Sequence, residues 1–442
     1  MLQRYFIFIL TVIALTTSAF HCHHEDIKPT VYEEHFPTRV KEYSIDGFNV
    51  LSKPSNNGII TVQWAFMGGT ANYPLEKNGI EKLALHTLVT AFSTDSLKRK
   101  GIEITDTSSY DFSGITIRCP QQEAAEALAL MGRMMESKAF SAEAFDAAKK
   151  DQLQRLTDLH SDESYMLTET AHENVFKGRN YARKPEGTET IINLLSKDEV
   201  QEYLNGLCKK ETSMAVIIGD ADSASIVNSF APAVKSLGTG GVVVKDTLGT
   251  VATTSEVDYI NLATDKNQLL GMVTLPALNT HDNQAMALVW EIIAKNLKNG
   301  LYASGMKSIR FSYSSGIRNL SIPYAYCMLE TNAPAQASEY LMNSIKAIKA
   351  KPIEYDELQA AKSLFITEYY TMMQSNAMQG YLLAQNQSTR KWIYADGFPQ
   401  QISKVSIGEV NNALTTLLKT IHWTYIGDKQ LLDEKTLLQA LE

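Results

Sequence analysis

Two stretches of this chain repeat one pattern. Residues 196 to 220 read SKDEVQEYLNGLCKKETSMAVIIGD, and residues 406 to 428 read SIGEVNNALTTLLKTIHWTYIGD. Each opens with Ser-x-x-Glu-Val, at Ser196/Glu199 and Ser406/Glu409. That is a capping box, which satisfies the free amides at the start of a helix. Each helix then runs into a β-rich stretch ending in Ile-Gly-Asp. A second pair lies upstream: EALALMGRMMESKAFSAEAFDAAKKDQLQ (126 to 154) and EYLMNSIKAIKAKPIEYDELQAAKSLFI (339 to 366). Both give an amphipathic helix, a break and a second helix carrying Ala-Ala-Lys. Both follow a strand-like segment, GITIRCP or AYCMLET. The same order of strand, helix, helix, capped helix and strand marks a tandem duplication. Strands of antiparallel type with segregated helices place the chain in the α+β class, as two similar halves, each a mainly antiparallel sheet packed with helices.

The 442 residues suffice for two domains of roughly 200 residues each. The expected division is a leader over 1–24, a first half over 25–240, a Gly/Thr/Val/Ser-rich linker over 241–256 and a second half over 257–442. The net charge of −8 comes without a basic stripe, which excludes nucleic acid and anionic membrane surfaces as partners. The N-terminus has one early charge at Arg4, an apolar run from Phe6 to Leu15, then Thr17, Ser18 and Ala19. This reads as a secretory signal peptide cleaved after Ala19, with a run too short to stay in a bilayer as a spanning helix. The mature chain is therefore expected in the periplasm or cell envelope. His21 stands before Cys22, where a lipoprotein signal wants a small residue, so a lipid anchor at Cys22 and an untethered N-terminus both remain open. The HCHHE cluster around it reads as a solvated tail. Cys119, Cys208 and Cys327, an odd number widely spaced, form no disulfide framework.

The first half opens with FNVLSKPSNNGIITVQWAFMGG, read as strand, Asn-Asn-Gly turn and strand in a hairpin. Gly-Gly-Thr follows, and then NGIEKLALHTLVTAF (78 to 92), an amphipathic helix carrying one histidine. This layout resembles the pitrilysin/insulinase family of metallopeptidases, whose inverted zinc motif is H-x-x-E-H. The second half agrees, since NLKNGLYASGMKSIRFSYSSG (296 to 316) is similar to the family's second-domain segment. The resemblance covers nearly the whole chain beyond the leader and implies tandem α+β halves.

Aligned on Gly79 and His86, the resemblance puts Lys82 at the first motif histidine, Leu85 at the glutamate and His86 at the second histidine. In the family two imidazoles one turn apart grip zinc while the glutamate takes a proton from the bound water. An ammonium has no lone pair to give. About 4 Å from a divalent ion, Lys82 would oppose binding by roughly 8 kcal/mol at an effective dielectric near 20. Leu85 has no proton to move, and a positioned acid–base group contributes about 100- to 10,000-fold. His86 is thus a motif remnant not expected to hold metal. The third ligand equivalent stays undetermined among Asp158, His160, Asp162 and Glu163. In the second half Tyr313 matches the family tyrosine that helps hold substrate or the developing oxyanion. The family's arginine position holds Met306, beside Lys307 and near Arg310.

The resemblance implies an exported homologue without its own hydrolytic centre. It would form half of a peptide-binding chamber with a zinc-bearing homologous chain, or dimerise with itself, and offer an edge strand to extended peptides. No cofactor is expected, and zinc only in an active form. Two other readings stay open: a zinc peptidase with ligands His86, His160 and Asp162 or Glu163, and a periplasmic peptide-binding or scaffold protein with no catalytic partner.

Overall fold

A computed structural model describes residues 39–441 except 244–253, 261, 263–265, 279, 307–308, 317–321, 390 and 417. The first half carries strands β1 (Lys41–Ile45), β2 (Phe48–Lys53), β3 (Ile59–Met67), β4 (Glu103–Ser108), β5 (Phe112–Pro120) and β6 (Ser213–Ile218). Its helices are α1 (Ile80–Phe92), α2 (Asp95–Arg99), α3 (Ala124–Ser137), α4 (Ala142–His160), α5 (Glu163–Val175), α6 (Glu189–Leu194), α7 (Lys197–Leu207) and α8 (Ser223–Lys235). The second half has β7 (Val257–Ile260), β8 (Gln268–Thr274), β9 (Arg310–Ser314), β10 (Tyr324–Glu330) and β11 (His422–Ile426). Its helices are α9 (His281–Ala303), α10 (Pro334–Lys349), α11 (Tyr355–Met372), α12 (Asn376–Thr389), α13 (Ile393–Asp396), α14 (Phe398–Lys404), α15 (Ile407–Thr416) and α16 (Glu434–Leu437).

The duplication is visible in the topology. The first sheet runs β1-β2-β6-β3-β5-β4 and the second β7-β11-β8-β10-β9, so that β2, β6, β3, β5 and β4 correspond in order to the five strands of the second sheet. Both capping boxes form: Glu199 accepts from the Ser196 amide at 3.0 Å and Glu409 from the Ser406 amide at 2.6 Å. Both Ile-Gly-Asp segments follow the equivalent strand, with Gly219 at φ 149° and Gly427 at φ 138°. At either glycine a Cβ would collide, with Ile60 in one half and Asn267 in the other.

Aligning those segments makes Ala215 equivalent to Trp423. Ala215 pairs across the sheet with Trp64, and Trp423 pairs with Gly271. Each pair buries one indole, on opposite strands in the two halves, and Trp64 and Trp423 are both fully buried. The volumes match to within a methyl group, which is why a cross-strand swap preserves native packing density.

Each sheet is covered on one face by its own helices and on the other by a helix from the opposite half. Leu382, Leu383 and Ala384 of α12 pack on Leu51, Ala65, Met67 and Val216 of the first sheet. Leu167, Ala171 and Val175 of α5 pack on Leu270, Met272 and Ile426 of the second. Fully burying each such leucine is worth about 1.5–3 kcal/mol. The N-terminal ends of both helices are tied to the central strand they cross. Asn376 donates to the Ile59 carbonyl at 2.7 Å, and Gln268 donates to Glu163 at 2.7 Å. Lys53 pairs with Asp396 at 2.6 Å across the same joint. On α5 itself, His172 stacks on Tyr110 at 5.0 Å and meets the edge of Tyr324 from the second half at 4.7 Å. Burial pushes its imidazole down to about 4, against a partly compensating hydrogen bond to the Tyr181 carbonyl.

One local expectation changes. β2 and β3 do not form a hairpin, because β6 lies between them, parallel to β2 and antiparallel to β3. The Pro54–Gly58 loop therefore spans two strand spacings, and the Asn-Asn-Gly signal marks a wide connection. Each sheet also contains one parallel pair, β2–β6 and β7–β11, among antiparallel neighbours. The signal peptide, Cys22, residues 244–253 of the expected linker and Lys307 lie outside the described residues. Cys119, Cys208 and Cys327 are buried free thiols.

Candidate functional site

Helix α1 starts at Gly79, whose φ of 87° puts it in the left-handed region. A Cβ there would lie 2.6 Å from Gly187, so two loops meet backbone to backbone at the helix start. Next to it the buried Glu81 accepts from Tyr203 at 2.5 Å and from Asn72 at 3.0 Å. Burial raises its carboxyl pKa, and these hydrogen bonds offset part of the rise. Glu81 thereby anchors the first turn of the helix to α7 and to the end of β3.

The helix presents Lys82, next to Glu81, and His86, one turn further on, to strand β4. The Lys82 ammonium lies 2.5 Å from one oxygen of Asp106, and His86 Nδ1 lies 2.9 Å from the other. The Asp106 side chain is only 6% exposed. Burial alone would raise its pKa, but the His86 hydrogen bond and the charge and hydrogen bond of Lys82 outweigh it, and the carboxyl sits below its ordinary value. An ionised carboxylate only accepts, so Nδ1 of His86 carries the hydrogen and, in the neutral ring, Nε2 faces outward as the acceptor. There it lies 3.9 Å from Asp151 of α4, whose side chain is 70% exposed. Leu85 points the other way and is fully buried in the first-half core.

These residues do not fit a zinc ion. Catalytic zinc takes three protein ligands and an open position. Both oxygens of Asp106 are taken by Lys82 and His86, which leaves His86 Nε2 and Asp151. Among the described residues no group of three His, Cys, Asp or Glu side chains is placed to hold a metal. The Lys82 nitrogen is engaged with a carboxylate.

The remaining sequence candidates are elsewhere. Asp158 accepts from Gln154 at 2.9 Å, His160 faces Glu169 at 3.5 Å, and Asp162 caps α5 through the Ser164 amide at 2.9 Å. Glu163 meets Gln268 of the second sheet. Their partners lie at the α4–α5 corner and across the joint between halves, not at His86. Tyr313 donates to Glu291 of α9 at 2.7 Å, and burial together with that carboxylate raises its phenol pKa. Met306 is half-buried against the second-half core, and exposed Arg310 pairs with Glu330 at 3.4 Å.

The strand registers connect Tyr313 to the first-half site in an unexpected way. Trp64 pairs with Ile115, and Ile115 with Asp106; in the second half Gly271 pairs with Cys327, and Cys327 with Tyr313. Asp106 and Tyr313 are therefore equivalent positions. Each joins an edge strand to a helix of its half, α1 or α9, as an ion pair in one and as a phenol–carboxylate hydrogen bond in the other. Asp106, Asp151, Glu81 and Glu291 were not singled out in the sequence. Only Asp106 leaves a signal there: in EITDTS it shares an alternation face with Ile104, an acid where a core residue belongs. Asp151 becomes visible only through the packing of α4 on α1.

No protein-family model and no curated protein matches the chain. Solved structures do. A protease from Helicobacter pylori superposes with TM-score 0.76 at 14% identity, over 89% of this chain and all of that one. A peptidase M16 inactive domain from Pseudomonas fluorescens gives TM-score 0.76 at 13% identity, over 89% of this chain and 98% of that one. A chain of complex III2 from Candida albicans gives TM-score 0.73 at 15% identity, over 90% of this chain and 98% of that one. The fold is thus the two-half α+β arrangement found in M16 peptidase domains.

Proposed function

We propose that the chain is an exported, catalytically degenerate member of the M16 peptidase type, acting as a peptide-binding subunit. It supplies half of a chamber whose other half is a zinc-bearing homologue or a second copy. The observation that carries this reading is the closed array at the motif remnant: Lys82 and His86 share Asp106, and Leu85 is buried. The array is a satisfied ion pair at the positions that the resemblance gives to the zinc motif. The similarity to an inactive M16 domain and to a chain of complex III2 supports a role within an assembly. The edge strand β4, last in its sheet and carrying Asp106, is the surface on which an extended peptide would lie.

Sedimentation and peptide cleavage of the chain, alone and mixed with its nearest encoded homologue that keeps H-x-x-E-H, test the proposal. A dimer that cleaves only in the mixture supports it. A monomer that cleaves peptides unaided refutes it.

A further inference from the structure

Where the last turn of α12 reaches the first sheet, a cavity of about 290 Å³ opens. Three parts of the chain wall it. Asn49 and Met67 come from β2 and β3, and Gln387 and Ser388 come from α12 of the second half. Lys210 and Glu211 lie just before β6, and Val243 lies on the segment that joins the halves. None of these residues belongs to the motif remnant at α1. The volume is about ten times the share of one water in the liquid, which is room for a molecule of about ten heavy atoms.

The hydrogen bonds already made define what is left for a ligand. Asn49 donates its NH2 group to Glu42 at 3.1 Å, so its Oδ1 remains an acceptor. Gln387 Oε1 accepts from the Trp392 amide at 3.1 Å, so its NH2 group remains a donor. Ser388 gives its hydrogen to the Asp111 carbonyl and keeps its lone pairs. Glu211 accepts from the Gly241 amide at 3.0 Å. Its own amide and those of Gly241 and Gly240 hold its carboxyl below the ordinary value, so it is ionised at neutral pH. Lys210 spends one of its three hydrogens on Asp46 at 2.6 Å, and the Asp46 side chain is 72% exposed. Met67 and Val243 are apolar and belong to the packing between α12 and the sheet.

One small cavity therefore offers a cation and an anion on adjacent residues, neutral donors and acceptors beside them, and an apolar wall. A ligand with a single charge matches only half of it. With Asp46 the rim carries two carboxylates to one ammonium, which disfavours a ligand that has no ammonium of its own.

We propose that this cavity binds a free α-amino acid with an apolar side chain. Glu211, Asn49 and Ser388 accept from its ammonium, Lys210 and Gln387 donate to its carboxylate, and Met67 and Val243 receive its side chain. The bound molecule touches both halves and the segment between them, so its occupancy stabilises their joint. The inference is independent of the peptide-binding reading.

Calorimetric titration of the full chain with leucine, leucinamide and N-acetyl-leucine tests it. Leucine binds saturably at one site per chain. Leucinamide, without the carboxylate, and N-acetyl-leucine, without the ammonium, each bind about tenfold more weakly or worse, as loss of a charge-assisted bond requires. Glu211→Gln, on an exposed side chain, brings leucine down to the level of N-acetyl-leucine. Lys210→Met brings it down to the level of leucinamide. Thermal melts without ligand check that both variants fold. Absence of saturable leucine binding, equal binding of the three compounds, or leucine binding untouched by both substitutions overturns the inference.

Discussion

Asp106 is the residue on which the remnant site turns. Replacing it by alanine removes two charge-assisted hydrogen bonds, each worth about 1.5–3 kcal/mol. It also leaves the Lys82 ammonium, 15% exposed, without an anion. Breaking one side of a largely buried pair costs about 3–5 kcal/mol, so Asp106→Ala is expected to destabilise by about 3 kcal/mol or more. Lys82→Met removes one of these bonds but leaves Asp106 hydrogen-bonded to His86, and is expected to cost about 1.5–3 kcal/mol. The double variant should then be more stable than Asp106→Ala alone, since no uncompensated charge remains. Urea denaturation of the four proteins gives the coupling. Costs that simply add, or an Asp106→Ala penalty below about 1 kcal/mol, would refute the view that the array is a satisfied ion-pair network. The pH dependence has a fixed sign. Because the folded carboxyl pKa is lowered, its contribution is complete above the unfolded value near 4 and fades as pH falls through the folded one.

Two further outcomes follow from the packing. His172 takes up its proton near pH 4 in the folded chain but near 6.5 when unfolded, so acidification between those values should remove about 3 kcal/mol of stability. His172→Phe should flatten that stretch of the stability–pH curve, and a curve unchanged by the substitution would contradict the placement of His172 in the joint. A Cβ at Gly271 would come 2.5 Å from the Trp423 ring, so Gly271→Ala is expected to lower stability by about 1–3 kcal/mol in a thermal melt, and no loss would count against the swapped indole.

The architecture was legible because it is periodic and doubled. Capping boxes, Ala-Ala-Lys helices and Ile-Gly-Asp strand ends are local signals, and each recurs at its equivalent place. The hairpin reading failed because β6 enters from more than 140 residues downstream of β3, and no turn chemistry at Asn57–Gly58 encodes that insertion. The exchange of α5 and α12 between halves was hidden for the same reason. Both helices are apolar enough to be buried, but sequence does not say against which sheet. At the site, Lys82, Leu85 and His86 were singled out by the resemblance to the family motif. Their partners Asp106 and Asp151 were not, since each comes from a different element and meets α1 only in the folded chain. Tyr313 was read as the match to the family's substrate-holding tyrosine, and strand register was needed to show it as the counterpart of Asp106.

The central claim is that this chain holds peptides and does not cut them. It is tested most directly by following the anisotropy of a peptide labelled at one end, incubated for hours with the chain alone and excess zinc. The account predicts a rise on mixing that then stays level, with the peptide intact by mass spectrometry. A rise followed by decay to the value of a short fragment, abolished by His86→Ala, would contradict it.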